Sequence, residues 1–215
     1  MSQQNLTKLE AVNRILRAAR EHPVATLGEG GESDTLIAEQ ILDEVTRREQ
    51  MVGLHLNQTT TSFTPNATTH RVILPNNTSA VTGFAQHGHR DFFFREVDGE
   101  LRLFNGYETP ATDLFPNDEK VYVRITQFVT FESLPVVHQF SVTDQAAFEY
   151  AATVLPSNSM LRILEQRAMR SRAMARAADI RSRPHNLLND GRPSGLRLGR
   201  TVARSWPFND SKRID

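Results

Sequence analysis

The sequence predicts an α+β protein in which helices flank a mainly antiparallel β-sheet region and an extended arm follows at the C-terminal end. Apolar residues recur at helical spacing near the N-terminus and again after residue 135, which indicates helices in both places. Between them the period changes to short β-prone runs separated by Asn, Pro and Gly, which is typical of strands and turns. Beyond Pro184 isolated apolar residues stand among Gly, Pro and Arg, and this composition cannot build a core.

The helical spacing predicts four helices, at residues 7–21, 34–52, 136–154 and 158–182. The first has an apolar face made of Leu9, Val12, Ile15, Leu16 and Ala19. The second has an apolar face made of Leu36, Ile37, Ile41, Leu42 and Val45. In the fourth, the arginines scatter around the helix and leave a narrow apolar strip of Met160, Leu164, Met174 and Ala178. We therefore expect several surfaces to flank the fourth helix.

The middle of the chain, residues 54–134, is predicted to be mostly sheet. Its clearest unit is a hairpin in which Phe92–Val97 and Glu100–Phe104 flank an Asp-Gly turn, because this dipeptide supplies the positive φ that a tight turn requires. A later strand is predicted from Val121 to Phe131, since apolar and polar residues alternate at its start.

Phe92, Phe93 and Phe94 are consecutive in the first strand of the hairpin, so their rings point to opposite faces of the sheet. A single core covers only one of these faces. An antiparallel sheet that is apolar on both faces must be covered by helices or by a neighbouring subunit. The run of three phenylalanines therefore favours assembly.

Charge divides the chain in two, although 25 basic and 25 acidic side chains give a net charge of zero. Residues 1–161 hold 12 basic and 20 acidic side chains, while residues 162–215 hold 13 and 5. Such a chain can attract copies of itself, or can present its basic part to a polyanion or to an acidic protein. We divide it into a body, residues 1–183, and a basic arm, residues 184–215.

Signs of catalytic or metal chemistry are weak. The absence of cysteine excludes disulfides, thiolate metal sites and cysteine nucleophiles. The His87-Gly88-His89 segment lacks an acidic partner at a diagnostic spacing. The remaining candidates are the paired carboxylates Glu29/Glu32 and Asp118/Glu119, which would need the separations of a hydrolase acid and base. We expect no enzyme activity and no catalytic, metal-binding or cofactor-binding residues.

Targeting signals are also missing from the sequence. No stretch approaches the roughly 18 apolar residues that span a bilayer, so no membrane segment is expected. The N-terminal residues lack a basic region followed by an apolar run, which argues against a secretory signal. The chain is therefore expected to fold in a cytoplasm.

Several short motifs occur in a fixed order along residues 6–183. They are Ala11-Val12-Asn13-x-x-Leu16, Pro23-Val24-x-Thr26-Leu27, a helix with Arg47 or Arg48 and Gln50 ahead of Gly53, and Phe131-Glu132-Ser133-Leu134-Pro135. This ordered set resembles the tail tubular protein A family of short-tailed bacteriophages, the podoviruses. The family is also called the head-to-tail adaptor or gatekeeper family.

The resemblance implies a structural virion protein of the head-tail junction, made in the host cytoplasm. It implies a dodecameric ring, or connector, whose wall is a helical bundle and which lies between the portal and the tail nozzle, a tail tubular protein B-like protein. Double-stranded DNA would pass through the lumen during genome ejection, without sequence-specific contacts. No cofactor and no membrane are implied.

The resemblance predicts contact roles for residues of the arm and of the fourth helix. On the arm, docking onto the portal or a neighbouring subunit is expected for Arg192, Leu196, Arg197, Leu198, Arg200, Arg204, Trp206 and Phe208. On the fourth helix, a subunit interface or the DNA channel is expected for Arg162, Arg167, Arg170, Arg172 and Arg176.

Two other functions are compatible with the sequence. A non-specific nucleic-acid-binding module would use the basic C-terminal region to neutralise phosphates, and its affinity would fall steeply with salt. A hydrolase of cell-envelope polysaccharide would use the paired carboxylates. A large discrete oligomer with a central hole would distinguish the adaptor ring from both.

Overall fold

A computed structural model describes residues 5–28, 33–83, 92–106, 110–115, 120–155 and 158–182 of the chain. The helices within this part are α1 (Lys8–Ala18), α2 (Ser33–Met51), α3 (Val136–Val154) and α4 (Asn158–Ser182). The strands lie between α2 and α3, and they are β1 (Gln58–Phe63), β2 (Ile73–Leu74), β3 (Thr78–Gly83), β4 (Phe92–Val97), β5 (Glu100–Asn105) and β6 (Val121–Gln127). This arrangement confirms the predicted α+β class.

Helix α1 begins at a capping box and ends earlier than its sequence predicts. The Thr7 hydroxyl accepts a hydrogen bond from the Glu10 N–H at 3.2 Å, and the Glu10 carboxylate accepts one from the Thr7 N–H at 2.9 Å. The prediction that α1 extends to residue 21 is wrong, because Arg20 adopts a left-handed conformation with φ of 66°. The Glu21 N–H then donates to the Leu16 carbonyl at 2.9 Å, which closes the helix end.

Helices α1, α2 and α3 pack around a shared apolar core. Its largest fully buried side chains include Ile15 and Leu16 of α1, Leu42 of α2 and Tyr150 of α3. Phe131, which precedes α3 in a short 3-10 helix, closes the same core. Burial of such side chains is the main driving force for folding.

Two amide side chains fix loops to this helical core. The Asn13 side chain accepts a hydrogen bond from the Val24 N–H at 2.7 Å and donates to the Val24 carbonyl at 2.9 Å. The Gln50 side chain pairs with Val129 in the same two-way manner, at 2.8 and 2.9 Å. Each amide therefore substitutes for a neighbouring strand and satisfies backbone groups that would otherwise lack partners.

The strands form two three-stranded antiparallel sheets. The first has the order β1-β6-β3 and the second the order β2-β5-β4. A second apolar core contains residues of both sheets, among them Leu74 and Leu103 of the second sheet and Val123 and Ile125 of the first. The described body therefore has a helical core and a β core.

The predicted hairpin is confirmed, whereas the predicted strand Val121–Phe131 is too long. Strands β4 and β5 are joined by Asp98 and Gly99, whose φ values of 55° and 78° fit a type I′ turn. Strand β6 ends at Gln127. The chain leaves the sheet there because the Gln50 side chain, and not a neighbouring strand, pairs with the backbone of Val129.

The predicted apolar face of the second helix is wrong in part. Leu42 and Val45 are buried, but Leu36 and Ile37 are 40% and 44% exposed. Both lie about 120° or more around the helix axis from Leu42, so one core cannot cover all the predicted positions. Thr35, Ala38, Thr46 and Gln50 complete the buried face instead.

The predicted apolar strip of the fourth helix is also wrong in part. Leu164 is buried as expected, but Met174 is 67% exposed. Helix α4 turns a side with small residues, Ala168 and Ala175, toward the body. Among the described helices, none is both long and apolar enough to cross a membrane.

Candidate interaction surfaces

Several sequence-predicted candidates lie outside the described residues and stay predictions. These include all the docking candidates of the arm, Arg192, Leu196, Arg197, Leu198, Arg200, Arg204, Trp206 and Phe208. They also include the histidine and carboxylate candidates His87, His89, Glu29, Glu32, Asp118 and Glu119. The candidate surfaces that the structure describes lie on the helices and sheets of the body.

Polar contacts attach helix α4 to the body beside the buried side chains of Leu164, Ala168 and Ala175. Arg167 forms an ion pair with Asp144 of α3 at 2.9 Å, and Arg172 forms one with Glu49 of α2 at 2.7 Å. Further along the helix the buried carboxylate of Asp179 accepts a hydrogen bond from the His55 N–H at 2.6 Å. These contacts separate the five candidate arginines into two groups, because Arg167 and Arg172 are engaged within the chain.

The other three candidate arginines, Arg162, Arg170 and Arg176, are exposed. In the part of the chain that the structure describes, no carboxylate forms an ion pair with them. They share the outward side of α4 with large apolar residues, namely Ile163, Met169, Met174 and Ile180, which are 62%, 61%, 67% and 54% exposed. We call this set the α4 outer face. It combines positive charge with exposed apolar surface.

A second exposed helical surface lies on α2, and the sequence interpretation missed it. Its large apolar residues are Leu36, Ile37, Met51 and, just beyond the helix, Val52, with exposures of 40% to 68%. Gln40 and Glu44 are exposed on the same side. We call this set the α2 outer face. The sequence does indicate this surface, because the apolar residues of α2 spread over a wider part of the helix circumference than one core can bury.

The outward face of the second sheet is partly covered by its own side chains. Phe93 and Phe104 stack with ring centroids 5.3 Å apart, and the Arg95 guanidinium lies 5.9 and 5.5 Å from the two centroids. Phe92, on the other face, is buried in the β core. The expectation that both faces are apolar is therefore confirmed, and the Arg95 side chain partly covers the outward face.

Two open clefts of about 430 and 330 Å³ adjoin α1, and Arg14 and Arg17 line both. Each cleft also contains a carboxylate that is already engaged. Glu10 caps α1, and Asp144 is paired with Arg167. Among the described lining residues no carboxylate is therefore placed as a free general base.

Two buried titratable groups lie within the helical core. Burial lowers the pKa of His138 in α3, although the nearby carboxylates of Asp179 and Glu49 oppose this shift. Burial raises the pKa of Tyr150 to about 12, with a smaller contribution from Asp34 and Glu21. Neither group opens into a described cleft. Both shifts therefore follow from core packing.

The described residues contain no cluster of three or more His, Asp or Glu side chains arranged to hold a metal ion. What they do present is an apolar and arginine-rich helix face, a second apolar helix face and an aromatic sheet face. Exposed apolar and aromatic faces of this kind are typical of surfaces that contact other macromolecules.

The model of the tail tubular protein family matches residues 9–185, so the chain belongs to that family. This confirms the resemblance seen in the sequence motifs. The protein is a structural component of a bacteriophage tail and is located in the virion tail. A comparison with curated proteins gives no significant match.

Proposed function

We propose that the protein is a head-to-tail adaptor, which assembles into a dodecameric ring between the portal and the tail nozzle and lines the DNA exit channel. The observation that carries this proposal is the family match across residues 9–185, which includes all four described helices and both sheets. A tail tubular protein contributes to a hollow structure, and a closed ring of identical copies is the simplest element of one.

The described surfaces support assembly into such a ring. Cyclic rings use heterologous contacts, in which two different patches of the same chain meet. The α4 outer face and the α2 outer face are two such patches, and both expose more large apolar side chains than scattered surface residues would explain.

The arm has a separate role in this proposal. Its apolar residues Leu196, Leu198, Trp206 and Phe208 stand among arginines, a composition that suits a segment which orders on a partner. We assign it to docking on the portal, with Arg192, Arg197, Arg200 and Arg204 pairing with carboxylates of that partner. The nozzle, a tail tubular protein B-like protein, would bind the opposite end of the ring.

DNA is a transient occupant of the channel in this proposal. The acidic excess of residues 1–161, 20 acidic against 12 basic side chains, disfavours tight phosphate binding and helps DNA to slide. No cofactor and no catalytic step are required.

The second candidate function is non-specific nucleic-acid binding by the basic C-terminal region. It is favoured by one observation, the exposure of Arg162, Arg170 and Arg176 without a carboxylate partner among the described residues. Such a module would lose affinity steeply as salt rises, because each neutralised phosphate releases counterions.

Electron microscopy of the purified protein tests the adaptor proposal. Images are collected with and without the portal over a range of protein concentrations, and light scattering gives the mass in parallel. We expect annular particles with a central hole and a mass of many times the 24.3 kDa chain. Solitary particles of single-chain mass in every condition, with the portal present, would reject the ring.

A further inference from the structure

The α4 outer face is long enough to take another helix. On the 3.6-residue period Ile163 and Met174 lie along one side of it, and Met169 and Ile180 along the other. Ala173 and Ala177 lie between them, together with the longer side chains of Gln166 and Arg170. The face is about 26 Å long at 1.5 Å per residue.

The α2 outer face has matching dimensions. From Leu36 to Met51 it extends over about 22 Å at 1.5 Å per residue. Its apolar residues, Leu36, Ile37, Met51 and Val52, are 40%, 44%, 63% and 68% exposed. Of the large apolar residues exposed in the described part of the chain, most belong to one of these two helix faces.

The two faces differ in charge. Arg162, Arg170 and Arg176 give the α4 outer face a net positive charge, with Glu165 as the carboxylate at its margin. On α2, Asp43 and Glu49 are paired with Lys8 and Arg172. Glu44 is exposed on the α2 outer face and forms no ion pair within the described residues, although Arg47 lies on the same side. A second copy of the chain therefore offers α4 both apolar cover and the Glu44 carboxylate.

DNA is a poorer occupant of the α4 outer face than a second copy. A surface that contacts phosphates gains little from isoleucine and methionine, and about half of protein-DNA hydrogen bonds or more go to the sugar-phosphate backbone. Protein interfaces, in contrast, are enriched in Met and Arg and depleted in Lys and Asp. The four large apolar residues between the arginines decide in favour of a protein partner.

We infer that the α4 outer face of one copy packs against the α2 outer face of the next copy, and that this contact closes the ring. The inference rests on the proposed ring and specifies its interface. It also assigns Arg162, Arg170 and Arg176 to the subunit interface and not to the DNA channel.

A complementation experiment with two interface variants tests this contact. Met169→Lys with Met174→Lys disables the α4 outer face, and Leu36→Lys with Ile37→Lys disables the α2 outer face. Lysine is a good helix former, so both variants should fold, and circular dichroism with thermal melting checks this. The matched control is Leu114→Lys, because Leu114 is 46% exposed but lies on neither helix.

Light scattering after size-exclusion chromatography gives the readout. We expect each variant alone to be a monomer of 24.3 kDa, and Leu114→Lys to assemble like the unmodified chain. The two variants mixed in equal amounts should form a dimer of twice 24.3 kDa and nothing larger, because one intact face remains on each. Two monomers that do not combine would overturn the pairing of these two faces.

The other outcomes separate this inference from the proposed function. If the unmodified chain assembles and either variant assembles equally well, the face assignment is wrong and the ring stands. If the unmodified chain never assembles, even with the portal present, the ring itself is wrong. If Arg162→Gln, Arg170→Gln and Arg176→Gln together reduce retention of duplex DNA on the ring but leave its mass unchanged, these arginines belong to the channel.

Discussion

The amide of Gln139 in α3 is fully buried and joins the backbone before α1 to the turn before α3. It accepts a hydrogen bond from the Leu6 N–H at 2.8 Å and donates to the Phe131 and Glu132 carbonyls at 3.2 and 3.3 Å. Gln139→Met keeps the length of the side chain but leaves these backbone groups without their partner. We expect it to lower the free energy of unfolding by about 2–4 kcal/mol, as measured by urea denaturation.

Gln127 provides the matched control for this prediction. Its amide makes one exposed hydrogen bond, to the Asn77 side chain at 3.1 Å. Gln127→Met should change the free energy of unfolding by less than about 0.5 kcal/mol at the same protein concentration. Similar losses at the two positions would show that Gln139 has no special role.

Hydrogen bonds from a side-chain amide to the backbone of a loop also account for two residues of the sequence motifs. Asn13 and Gln50 could be recognised by their place in an ordered pattern, but their role could not be derived from it. Their partners, Val24 and Val129, are 11 and 79 residues away. The sequence does not encode such a pairing locally, because it depends on how the helices and loops pack.

At the scale of elements, the attachment of α4 depends on Asp179. This carboxylate is buried and accepts the His55 N–H, so its removal takes away the partner of that backbone donor. We expect Asp179→Ala to loosen the C-terminal half of α4 and to leave α1 to α3 unaffected. Hydrogen-deuterium exchange with peptide resolution measures this as faster exchange confined to residues 172–182.

Glu165→Ala serves as the control, because Glu165 lies on the same helix and is only half-buried. It forms no ion pair within the described residues. Exchange in α4 should remain as in the unmodified chain. If the Glu165 and Asp179 variants exchanged alike, α4 would be held by its apolar contacts and not by the buried carboxylate.

Elements that depend on local rules could be predicted, and elements that depend on distant partners could not. The hairpin follows from the Asp-Gly turn, whose positive φ values are a local property. The early end of α1 depends on a left-handed Arg20, a conformation that its residue type does not favour. The exposure of Leu36, Ile37 and Met174 depends on which side of each helix finds a neighbour, so apolar spacing alone assigned them to a core.

At the scale of the whole molecule, the ring and the arm have separable roles. The interface we infer uses α2 and α4, whereas the arm is assigned to the portal. A chain ending at residue 183 retains both helix faces and loses the eight docking candidates. We expect it to form rings with the same number of subunits as the full chain, but these rings should no longer bind to immobilised portal. If no rings form without the arm, the arm binds the neighbouring subunit instead.

The same truncated chain separates the adaptor from the nucleic-acid-binding alternative. If the basic region serves to bind DNA, removal of residues 184–215 takes away six of its 13 basic side chains and should strongly reduce retention of duplex DNA on a filter. If the arm docks on the portal, the weak and salt-sensitive retention of duplex DNA should be nearly the same for the full and the truncated chain. In that case DNA contacts the lumen of the ring and not the arm. The measurement is made at two salt concentrations, since a phosphate-binding arm also predicts a smaller salt slope after truncation. Loss of retention together with a reduced slope would favour the nucleic-acid-binding module over the adaptor.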